Sequence, residues 1–96
     1  MVQCRMNTLA DWIKEKNKFD NVAMIRLVYK GISYDYNKWK ISGQNIFFYD
    51  NELKVTHVLW TTENIKIIDD VHIIINPDTD PKYTVALELF YGGAIL

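Results

Sequence analysis

Cysteine, proline and glycine are all scarce in this chain of 96 residues, which holds one, two and four of them respectively. With Cys4 as the single cysteine, no disulfide can close within the chain, so stability must come from packing, and a reducing cytoplasmic setting is expected. Gly31 and Gly43 stand alone and Gly92-Gly93 follows the last apolar segment, so the chain lacks a phosphate-cradling loop and nucleotide hydrolysis has no support. Long apolar runs are missing too. None approaches the roughly 18 residues that cross a bilayer, and Met1 to Met6 has neither the apolar core nor the cleavage site of a signal peptide, so no membrane partner is expected. Charge of one sign is equally lacking: a formal net charge of -1 and a pI near 6.0 give no global basic field to draw nucleic acid non-specifically.

Residues with catalytic chemistry are few and dispersed. A nucleophilic enzyme needs a Ser, Cys or Thr beside a positioned base, and His57 and His72 are the only histidines, each isolated in a strand-like segment. Lone strand histidines are usually surface or packing residues. Cys4, His57 and His72 have none of the short spacings that bring metal ligands together. Asn76, Asp78 and Asp80 have the alternate spacing of the first half of a calcium loop, but Pro81 stands where the turn needs glycine and Leu87 where the bidentate carboxylate belongs. Asp69-Asp70 reads as a hairpin turn. The expectation is therefore no enzyme, no catalytic residue, no cofactor and no metal.

What is present is apolar and aromatic. Hydrophobic residues make up 49%, aromatics 14% and charged residues 24%, which is the balance of a folding globular chain, and the length predicts one domain over 1–96. Thr8 with Asp11 three residues on reads as a helix start. Leu9, Trp12 and Ile13 then form one apolar face and Lys14, Lys16 and Lys18 suit the C-terminal end, predicting a helix from about 8 to about 17. From Asn21 the period becomes two. Val22 to Tyr29 is apolar in both parities and predicts a strand that is central or covered on both faces; Lys30-Gly31 turns it into Ile32 to Tyr36 as a hairpin; the parity then slips near Asn37-Lys38, which predicts a bulge or bend. Short strands follow over Ile46 to Tyr49, Leu53 to Trp60, Ile65 to Ile68 and Val71 to Ile75, and after the Asn76 to Pro81 loop a last strand runs from Tyr83 to Tyr91. The fold class expected is α+β, mostly β: one N-terminal helix packed on a strongly bent antiparallel sheet or small barrel of about six or seven strands. The order of one helix and then short strands is that of Sm-like and other small barrels, an analogy of layout that carries no function.

Between Tyr29 and Lys40 aromatics interleave with lysines, and Tyr34, Tyr36, Lys38, Trp39 and Lys40 form the candidate binding surface. Rings that stack on bases beside ammonium groups suit single-stranded nucleic acid, whereas tyrosine is equally favoured in strands and at protein interfaces. The leading expectation is a non-catalytic binding module acting through protein contacts or self-association. The alternatives are a nucleic-acid-binding small β-barrel and an inhibitor of a host defence enzyme; abundant Ile, Lys, Asn and Tyr, with AT-rich codons, would suit a phage or mobile-element accessory protein.

Overall fold

A computed structural model of the chain describes residues 8–15, 19–77, 80 and 84–91. Cys4, Lys16, Lys18, Asp78, Pro81, Tyr83 and Gly92-Gly93, which entered the readings above, lie outside the described residues.

Helix α1 spans Leu9–Lys14 and starts as its letters require: extended Thr8 caps it, its Oγ1 accepting the Asp11 N–H at 3.3 Å. Six residues cannot hold a helix in water alone. Tertiary contacts supply the rest, since Leu9 and Trp12 are fully buried, and the Leu9 and Ala10 N–H groups donate to the Glu63 and Thr61 carbonyls at 2.9 and 2.8 Å. Two of the unpaired donors at the helix start are thereby satisfied by the backbone of a neighbouring turn.

Eight strands follow: β1 (Val22–Tyr29), β2 (Ile32–Tyr36), β3 (Trp39–Ser42), β4 (Asn45–Tyr49), β5 (Val55–Trp60), β6 (Ile65–Asp69), β7 (His72–Ile75) and β8 (Val85–Tyr91). They form two antiparallel sheets, one ordered β2-β1-β8-β7-β6 and the other β3-β4-β5. This corrects the expectation of six or seven strands in a single bent sheet or barrel. The parity slip at Asn37-Lys38 is a bend, at Asn37, and not a bulge within one sheet: there the chain leaves the first sheet and founds the second. Thr61–Asn64 returns it. The two sheets stay open, because β2, β3, β5 and β6 each have one strand neighbour among the described residues.

The core lies between the sheets. Ile25, Leu27, Ile73, Ile75, Leu87 and Leu89 come from the inner face of the larger sheet and Ile46, Phe48 and Leu59 from the smaller one, with Leu9 and Trp12 of α1 closing it. Tyr36 belongs to β2 yet packs on Phe48 of β4 at 5.2 Å between ring centroids, so a single ring joins the two layers. The outer face of the larger sheet is half-exposed rather than covered, and there the register places Asp35, Arg26, Glu88, His72 and Asp69 opposite one another across all five strands. Arg26 forks onto Asp35, Nε to Oδ1 at 2.8 Å and Nη2 to Oδ2 at 3.3 Å. That row alternates in sign across its first three members and pins the strand register, since opposite charges across an antiparallel pair attract and like charges repel.

Candidate binding surface

Two surfaces meet on β5. The first is a cleft of about 560 Å³ where β2 diverges from the smaller sheet, lined by Tyr34 to Asn37 of β2 and its end, Tyr49 to Asn51 of the β4–β5 turn, and Thr56 and His57 of β5. Alternation aims Tyr34 and Tyr36 inward from β2. The Tyr36 hydroxyl is hydrogen-bonded to Thr56 Oγ1 at 2.8 Å and to His57 Nδ1, while the Tyr34 ring stands edge-on to the imidazole with centroids 4.4 Å apart. Burial holds the His57 imidazole below its ordinary value and so keeps it neutral. Burial also raises the Tyr36 phenol, opposed by its bond to Thr56 and reinforced by the Tyr34 and Asp50 charges. The network can position a neutral ring against a phenol that is itself held by a threonine hydroxyl.

The Asp50 turn forms one wall. Asp50 Oδ1 accepts the N–H groups of Glu52 and Lys54 at 2.8 and 2.9 Å, and its main chain exchanges bonds with Leu53 and Lys54 at 3.0 and 2.9 Å. Held this way, Leu53 adopts a φ of 63°, a left-handed conformation that costs a branched residue free energy, and its side chain is 64% exposed.

The second surface is the open edge of β5 with the outer face beside it. Thr61 donates its N–H to the Gln44 carbonyl at 2.8 Å, which sets the phase of the β4–β5 ladder. Ile46 and Leu59 then form a hydrogen-bonded pair, as do Phe48 and His57, whereas the main-chain groups of Val58 and Trp60 point away from β4. The Trp60 carbonyl accepts from Glu63 N–H at 3.1 Å; Val58 has no strand partner on its open side among the described residues. Their side chains stand on the outer face, 43% and 59% exposed. A groove of about 370 Å³ runs along this edge, with His57, Val58, Leu59 and Trp60 on one side and Tyr29, Ile75 and Val85 opposite. His57 borders both surfaces.

The five candidate residues are not one patch. Tyr34 and Tyr36 line the cleft. Lys38 is exposed at the crossing between sheets, its carbonyl accepting Tyr49 N–H at 3.0 Å. Trp39 packs against the core and stands edge-on to Phe19 at 6.2 Å, whereas Lys40 points to the opposite face, in register with Phe47 and Val58. Residues that sequence reasoning passed over include His57, set aside as a lone strand histidine, and Val58, Trp60 and Asp50. The strand expected over Leu53 to Trp60 carried no assignment of faces; its alternation puts Val58 and Trp60 opposite buried Leu59, and the sequence holds no signal that this face stays exposed. Among the described residues no group of three or more His, Cys, Asp or Glu side chains is arranged to hold a metal, and no helix is long and apolar enough to cross a membrane. Comparison of the chain with protein-family models, curated proteins and solved structures finds no match.

Proposed function

We propose that this protein is a non-catalytic binding module that works through protein contacts, with the β5 edge as its interface. The observation that carries the reading is the coincidence on one strand of outward N–H and C=O groups at Val58 with exposed apolar side chains at Val55, Val58 and Trp60. An open strand edge pairs with another extended backbone, and exposed apolar side chains on neighbouring positions add burial to that pairing. An inhibitor that adds its edge to a target enzyme would be one such module. Light scattering over a concentration series, with cross-linking to co-purifying proteins, tests this. The wild type is expected to form a defined complex, with itself or a partner, that Val58→Lys abolishes without changing the melting temperature by more than about 2–4 °C, because a lysine on an edge strand discourages strand addition. A complex unaffected by Val58→Lys would remove β5 from the interface.

A nucleic-acid reading keeps one specific observation: Trp60, Phe47 and Lys40 share the outer face of the smaller sheet, a ring and an ammonium group over strands. A monomer whose oligonucleotide binding weakens steeply with salt and is lost in Trp60→Ala and Lys40→Ala variants would favour it over the protein interface.

A further inference from the structure

The cleft beside β5 has walls of one electrostatic character. Tyr34, Tyr36, Tyr49 and His57 supply rings; Asn37, Asn51 and Thr56 supply polar side chains; Asp50 supplies the charge, since the Asp35 carboxylate alternates to the other face of β2, and no lysine or arginine lines the cleft among the described residues. Asp35 is already forked to Arg26, which leaves Asp50 as the less compensated carboxylate, its Oδ1 turned to two backbone N–H groups. Ring faces are electronegative, and a cation held over one gains most where the site is partly dehydrated. Neutral His57 adds no competing positive charge to the cleft. His57 lines both the cleft and the groove along the β5 edge, so the two adjoin and an extended chain added at that edge lies beside the cleft.

We propose that this tyrosine-lined cleft receives a cationic side chain, an arginine guanidinium or a lysine ammonium, presented by the protein that docks along β5. The inference rests on the protein-contact reading and gives that partner a chemistry: an extended segment with a basic residue, its charge between tyrosine rings and near the Asp50 carboxylate. A neutral residue of the same length would lose both attractions.

The test uses small probes and the whole chain, with no partner present. Two-dimensional NMR spectra are recorded while blocked arginine, blocked lysine and blocked citrulline are titrated in turn, at low and moderate salt. Arginine and lysine derivatives are expected to shift resonances of Tyr34, Tyr49, Asp50 and His57 saturably, with citrulline weaker by about tenfold. Asp50→Asn keeps the oxygen that caps the turn and removes the charge; it should weaken the arginine derivative severalfold while leaving the citrulline response alone. Tyr34→Leu, which removes a ring without touching the turn, should do the same. Equal responses to arginine and citrulline, shifts scattered over the acidic surface, or no saturable shift at the cleft would overturn the proposal. Because the probes report on the cleft alone, such a result would leave the β5 interface standing, to be judged by its own complex-formation test.

Discussion

At the scale of single residues, two side chains illustrate how burial sets different kinds of dependence. Trp12 is almost wholly enclosed, so Trp12→Ala should cost about 3–5 kcal/mol in a urea titration, the lost transfer energy plus a cavity. An unchanged midpoint would mean that α1 is peripheral to the fold. His57 contributes through its proton. Its folded imidazole binds that proton less readily than the unfolded one, so the chain is most stable with the ring neutral. Stability should be complete above about pH 6.5 and fall as the pH drops through the window between that ordinary value and the lower folded one. Urea midpoints measured across that window should slope downward in the wild type and lose much of that slope in His57→Gln. The environment that makes His57 neutral was not legible in the sequence, because it comes from Tyr34 and Tyr36, more than twenty residues away in the chain.

Elements were legible where their signals are local. Thr8 and Asp11 announced the helix start, and the alternating runs announced β1, β2, β4, β7 and β8 close to their observed bounds. The helix end was overestimated: Glu15 already has an extended backbone after Lys14, and the apolar face needed no more than Leu9, Trp12 and Ile13 to dock. Turns show the same locality. The β1–β2 hairpin closes through Lys30 at φ 54° and Gly31 at φ 78°, the pair of left-handed residues that a tight two-residue hairpin requires. Glycine adopts this conformation freely, and lysine does not. Lys30→Asn should therefore raise stability by up to about 1 kcal/mol, measurable as a higher urea midpoint. A neutral or destabilising result would show that the contact of the Lys30 ammonium with the Tyr29 ring, 5.3 Å from its centroid, offsets the backbone cost.

For the whole molecule, what the sequence concealed was assignment of strands to sheets. Pairing is non-local: β8 inserts between β1 and β7, although more than fifty residues separate it from β1, and no pattern within Tyr36 to Trp39 distinguishes a bulge from a change of sheet. Tyr36 couples the two layers across that change, reaching Phe48, Thr56 and His57 of the smaller sheet from the edge of the larger. The sheets should therefore unfold together, with tryptophan fluorescence and far-ultraviolet circular dichroism tracing coincident urea transitions; separate transitions would show that each sheet holds itself. Leu53 makes the opposite kind of demand on the same molecule. An aliphatic side chain kept in water on a left-handed backbone lowers the stability of the isolated chain, and Leu53→Asn should recover about 1 kcal/mol in thermal or urea unfolding. If the Asp50 turn also meets the partner, selection on the free protein and selection on the complex pull this position in opposite directions. The variant that melts later should then release its partner sooner, and a screen for thermostability alone would discard the leucine that binding retains.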